Sequence, residues 1–162
     1  MDKRSDKQQE TLAVGLTPVE KSLMVNLRQK RTLLTICEYY QRNAAAAEAE
    51  MAIWMDELAE TLRSDMADIS RMLRLYDLSS ADVYAVRSQV DEARYVRSRE
   101  GRLDLLRGRS YATIRWYQQE LGAHPPDDVA ALWNAFLASE QERVQQIEQM
   151  LTESTNTTPA QT

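Results

Sequence analysis

Cysteine and histidine each occur once in the 162 residues, phenylalanine once, and glycine and proline four times each. One cysteine excludes a disulfide framework within the chain, and one histidine excludes a histidine-rich metal or catalytic site. No Gly-rich phosphate loop, Ser-His-Asp set or zinc motif is present. No apolar run approaches the roughly 20 residues of a membrane span. The N-terminal stretch is charged and carries no apolar segment of secretory length, so the expectation is a cytoplasmic protein with no membrane partner.

What remains is a helix-former's vocabulary, with 43% hydrophobic and 28% charged residues and a net charge of -5. The length suits one domain with a substantial core. Residues 1–16 are polar and aperiodic and read as a flexible lead-in, residues 17–151 as a single helical bundle, and residues 152–162 as a disordered tail. Thr17-Pro18 with Glu20 is a helix-start signal, and apolar residues at Val19, Leu23, Leu27, Leu34, Cys37 and Ala44/Ala47 predict a helix over about 18–46, with one weak turn near Lys30. Met51, Met55, Leu58, Leu62, Asp65, Ile69, Met72 and Tyr76 form a heptad seam that contains one acid. After a break near Ser79-Ser80, Val83, Val86, Val90 and Ala93 predict a shorter helix over about 81–98. A turn near Gly101 then leads to a core helix over about 102–122. Pro125-Pro126 stops it, and Asp127 caps a last helix whose seam runs Val129, Trp133, Phe136, Glu140, Arg143, Ile147 and Met150. The fold class is therefore all-α, a four-helix bundle with a long helical crossover between its second and third core helices.

Charge is segregated. Seven acids face Arg63 alone between Glu48 and Ser70, and seven face Arg143 alone between Glu120 and Glu153. Between Arg87 and Arg115, eight arginines face four acids. This basic stretch complements acidic neighbours across the bundle, or it presents Arg87, Arg94, Arg97, Arg99, Arg102 and Arg107 to an acidic partner. The acidic net charge and the lack of a recognisable binding motif argue against nucleic acid.

Two segments carry a family resemblance. One is Glu38-Tyr-Tyr-Gln-Arg-Asn-Ala-Ala-Ala-Ala47, running into the helix from Ala52 to Met66. The other is Tyr111-Ala-Thr-Ile-Arg-Trp-Tyr117, running on to Leu132 through Arg143. Each resembles half of a ferritin-like, rubrerythrin-type bundle, over roughly residues 18–151. The resemblance implies carboxylates from four helices and two Glu-x-x-His motifs around a pair of iron or manganese ions. This sequence departs from that pattern. Leu62-Arg-Ser-Asp65 and Glu140-Gln-Glu-Arg143 stand where those motifs are expected, Gly108 and Arg109 stand near an expected inward Glu, and His124 lies in a His-Pro-Pro loop. The expectation is a degenerate member without the di-metal site and without a cofactor. Such a protein would act not as an enzyme but as a binding or scaffold protein, self-associating as a dimer or engaging another protein.

Charges on an apolar seam are costly unless paired. Asp65, Glu140, Arg143 and Arg109 are therefore expected to form an internal ion-pair cluster, the alternative being that local helix rotation carries these side chains to the bundle rim. The alternatives are an iron- or manganese-dependent oxidoreductase, or an iron-binding protein, with Glu38, Asp65 and Glu140 as atypical ligands, and an adaptor that binds an acidic partner through the Arg-rich helix. Cys37 reads as a buried structural thiol. The methionines read as core filler, and Trp54, Trp116 and Trp133 as core anchors, with Tyr39, Tyr40 and Tyr117 packed among them.

Overall fold

The computed structural model describes residues 15–156, so residues 1–14 of the expected lead-in and 157–162 of the expected tail lie outside the described residues. Among the described residues the chain is helical, without strands: α1 (Pro18–Arg42), a 3-10 turn (Ala46–Glu48), α2 (Ala49–Leu75), α3 (Arg87–Tyr95), α4 (Arg99–Gly122) and α5 (Asp127–Asn156). No helix among them is long and apolar enough to cross a membrane.

Local chemistry sets the boundaries. Thr17 caps α1 by accepting the Glu20 amide hydrogen, with Pro18 at the first helical position. α1 stops at Arg42, several residues before the sequence-based boundary. There the Asn43 side chain donates to the Tyr39 carbonyl at 2.8 Å, and the alanines that follow form a turn instead of more helix. α2 ends on Asp77 in the left-handed region (φ 58), with the Leu78 amide reaching back to the Leu73 carbonyl at 2.9 Å. The predicted helix over 81–98 shrinks to α3, and the turn falls at residues 96–98, before Gly101. Ser98 caps α4 by accepting from the Gly101 amide at 3.0 Å. Gly101 lies inside the first turn, where a Cβ would meet Ser98 Oγ at 2.7 Å and Val96 Cγ1 at 2.9 Å. Glycine here leaves room for a close approach of the Ser98 and Val96 side chains, which a Cβ would force to shift, and does not mark a break in the helix. Asp127 is the first residue of α5 and no cap, since the Ala130 amide bonds to the Pro126 carbonyl at 2.8 Å. Its carboxylate still complements the positive end of the helix dipole.

α1 and α2 form one antiparallel hairpin, and α4 and α5 a second. Two apolar clusters fix how the hairpins meet. Leu23 and Leu27 of α1, Ile69 and Leu73 of α2, Tyr117 of α4, and Val129, Trp133 and Phe136 of α5 gather at one end. Ile36 and Tyr40, Met51 and Met55, Leu103 and Leu106, and Ile147 and Met150 gather at the other. α2 and α4 therefore run parallel, and the chain between them travels the length of the bundle. Val83 belongs to the first cluster, whereas Val90 and Ala93 belong to the second. This connection is laced to α1. The Val86 amide donates to Thr32 Oγ1 at 2.9 Å, and Tyr40 Oη donates to the Ala93 carbonyl at 2.8 Å. Only α3 within it is helical, because the stretch before Arg87 spends its hydrogen bonds on α1 and on turns.

Candidate functional site at the bundle centre

Between the two apolar clusters lies a layer of charge. Lys30 of α1 sits between Leu27 and Leu33, Asp65 of α2 between Leu62 and Ile69, and Glu140 and Arg143 of α5 between Phe136 and Ile147. Lys30 Nζ donates to Asp65 Oδ2 at 3.0 Å and lies 3.8 Å from Glu140 Oε1. Arg143 Nη1 donates to Glu140 Oε1 at 2.5 Å. Lys30, Glu140 and Arg143 are 2%, 1% and 4% exposed, so three of the four charges are buried, while Asp65 keeps 13% of its side chain exposed. Two cations match two anions, and the chain of contacts joins one hairpin to the other.

Lys30 is the member that seam reading missed. Its signal is the spacing Leu23, Leu27, Lys30, Leu34 and Cys37, which continues the four-three rhythm through a charge where the pattern of apolar residues alone shows a weak turn. Arg109 is not joined to the quartet. Ser110, small and buried, takes the inward position of α4, and Arg109 Nη2 instead donates to Gln89 Oε1 at 2.7 Å. Asp65 consequently pairs with Lys30 rather than with Arg143. Burial pushes the Lys30 ammonium below its ordinary range, opposed by the charges of Glu140 and Asp65. Its ammonium also lies 4.3 Å from the Phe136 ring centroid, a second source of support for a desolvated cation.

Beside the quartet is a neutral network that the sequence did not disclose. Asn26, 0% exposed, donates through Nδ2 to Tyr117 Oη at 2.8 Å and accepts from Trp133 Nε1 at 3.2 Å. Burial raises the Tyr117 phenol well above its ordinary range, so it stays a neutral acceptor here. Cys37 is fully buried, and burial raises its thiol to about 12. It is therefore a packed apolar side chain and no nucleophile.

The other predicted positions are scattered. Glu38 pairs with Arg63 at 3.3 Å on a half-exposed face, apart from Asp65 and Glu140. Among the described residues no group of three or more His, Cys, Asp or Glu side chains is placed to hold a metal ion. Iron or manganese does not fit this donor set, because the carboxylates at the centre already face Lys30 and Arg143. His124 is exposed in the loop after α4, in the left-handed region (φ 53).

The arginines of residues 87–107 do not form one open surface. Arg94 pairs with Asp91 and lies over the Tyr39 ring, Arg87 lies 3.9 Å from Asp91, and Arg107 pairs with Asp104. Arg99 is part-buried against the Met150 carbonyl, and Arg97 is exposed. Arg102 is no surface residue. It is 5% exposed, donates to the Val96 and Asn43 carbonyls at 3.0 and 3.3 Å, and stacks over Tyr40. It clasps the end of the crossover to the end of α1.

Two clefts flank the quartet where the hairpins meet. One, of about 200 Å³, lies between α2 and α5 and includes Trp54, Arg143 and Gln146; the Trp54 indole donates to Gln146 Oε1 at 2.9 Å. The other, of about 270 Å³, lies between α1 and α4 under Gln89 of α3, and Lys30, Arg109 and Glu140 line it. Glu140 Oε2 and Gln29 Oε1 are buried and accept no hydrogen bond from the protein. Each such acceptor costs about 1–3 kcal/mol. No family model, curated protein or solved structure matches this chain. The fold and the site define it as a helical bundle with a buried ionic layer.

Proposed function

We propose that this chain is a ferritin-like bundle that has lost its di-metal site and acts without catalysis, as a binding or scaffold protein of the cytoplasm. Its partner is a second copy of itself or another protein. The observation that carries the reading is the central quartet: Lys30 and Arg143 supply the cations that pair with Asp65 and Glu140. The crossover between the hairpins, parallel to α1, is the further support for a ferritin-like helix order. In this layer Asp65 and one oxygen of Glu140 are already engaged by Lys30 and Arg143, which suits a frame better than a reaction centre.

The test is metal analysis of protein purified without chelators or an affinity tag, followed by iron(II) titration in air and light scattering on the eluted species. Trace metal, no oxidation above buffer and a defined oligomer or captured protein partner support the proposal. Stoichiometric iron or manganese would overturn it, and Glu38, Asp65 and Glu140 would be the first residues to replace.

A further inference from the structure

The cleft between α1 and α4 has an uneven chemistry that goes beyond the scaffold reading and does not depend on it. Among its lining residues is Arg109, a part-buried guanidinium whose hydrogen-bonding partner is the neutral amide of Gln89. Glu92 influences it electrostatically without forming an ion pair. Gln29 and Glu140 line it too, and their Oε1 and Oε2 are buried acceptors without donors among the described residues. Glu140 is 1% exposed, and its other oxygen is already engaged by Arg143. Trp116 and Thr113 are further lining residues. The volume, about 270 Å³, equals roughly nine water volumes.

A guanidinium held by a neutral amide and two acceptors without donors, all lining one cleft, do not suit a simple anion, which would satisfy Arg109 and leave Gln29 and Glu140 unpaired. Nor do they suit a simple cation, since Lys30 and Arg143 already balance Asp65 and Glu140. We infer that this cleft binds a small aromatic carboxylate bearing a hydroxyl or amino group. Its carboxylate meets Arg109, its donor meets Gln29 and Glu140, and its ring lies against Trp116. Arg109 suits the carboxylate because its planar fork matches two oxygens at once. The inference also gives a role to the inward Ser110, since a larger residue there would fill the space beside Lys30 and Glu140.

The experiment uses the full chain labelled with nitrogen-15, titrated with 4-hydroxybenzoate and 4-aminobenzoate, with benzoate, phenol and acetate for comparison. The expected result is saturable shifts of the Trp116 indole and Thr113 amide resonances with either of the first two. Benzoate and phenol, each lacking one recognised group, should bind at least about tenfold more weakly. Arg109→Gln should weaken binding by about tenfold or more while keeping the parent's helical signal and melting temperature. Thr113→Val tests the same lining without touching charge, and its resonance map should keep the Arg109 contacts intact. Absence of shifts at these positions up to millimolar ligand would overturn the inference, as would equal affinity for acetate or an unaltered Arg109→Gln. Failure here leaves the metal analysis, and the scaffold reading, untouched; iron in the purified protein with the cleft still binding would do the reverse.

Discussion

Replacing Lys30 by Met removes the cation that joins the two hairpins. At an effective dielectric of about 20, the Lys30–Asp65 contact at 3.0 Å is worth roughly 5.5 kcal/mol of attraction, and Lys30–Glu140 at 3.8 Å roughly 4.4 kcal/mol. Desolvating each ion costs several kcal/mol in return, so the assembled quartet contributes little net stability. Breaking it is another matter. In Lys30→Met the Asp65 carboxylate keeps its burial, at 13% side-chain exposure, and loses its partner. The expected loss is about 3–5 kcal/mol. Asp65→Leu should cost less, about 2–3 kcal/mol, because Lys30 keeps Glu140 and its already depressed ammonium can shed its proton. The double variant Lys30→Met/Asp65→Leu removes both charges, leaves Glu140 with Arg143, and should lie within about 1 kcal/mol of the parent. Urea denaturation reads the differences at constant slope, and a 3 kcal/mol loss corresponds to roughly 6–12 °C in melting temperature for a chain of this size. Single variants within about 1 kcal/mol of the parent, or a double variant equal to the sum of the singles, would refute the buried-quartet reasoning. The partner matters as well: pairing Asp65→Leu with an Arg143 replacement should worsen the loss, since it also strips Glu140.

The remaining predictions rest on other buried groups. Asn26→Leu should cost about 2–4 kcal/mol by denaturation, because Tyr117 loses its donor and the Trp133 indole is left without an acceptor. Cys37, with its thiol raised to about 12 against an ordinary 9.0, should resist a thiol reagent at pH 8 in the folded protein and react on unfolding; fast labelling of the native state would contradict its burial. The sign of its pH effect follows: the unfolded thiol ionises above pH 9.0 while the folded one keeps its proton, so this group lowers stability as pH rises from about 9 to about 12, and Cys37→Ala should flatten that part of the profile. Arg102→Ala should free the crossover from the end of α1 and raise protease cleavage within residues 76–98, whereas an unchanged cleavage pattern would deny the clasp its role.

Much of the architecture was legible because it is local. The Thr17-Pro18 start, the Pro125-Pro126 stop, the seam of α5 and that of α2 as far as Ile69 are written in residue spacing and followed by the structure; beyond Ile69, Leu73 turns inward in place of Met72. Boundaries failed where a side chain competed with the helix, as Asn43 does at the end of α1, or where a glycine served a close approach rather than a turn, as Gly101 does beneath Ser98 and Val96. The seam charges Asp65, Glu140 and Arg143 were equally visible, since an ionised group among Leu, Ile and Phe positions announces itself.

Their partners were not visible. A seam shows that a charge points inward but not which charge on another helix stands at its height; that depends on how far the hairpins slide along one another. The packing of two apolar clusters, one at each end, sets that register and brings Lys30 rather than Arg109 to Asp65. The same register turns Arg102 from an apparent surface residue into a buried clasp, and opens a cleft that Arg109 and Glu140 both line. Composition and periodicity determined that the chain would fold as helices with charge on its seams. Which charges meet is a matter of distances between helices far apart in sequence, and only the tertiary structure fixed them.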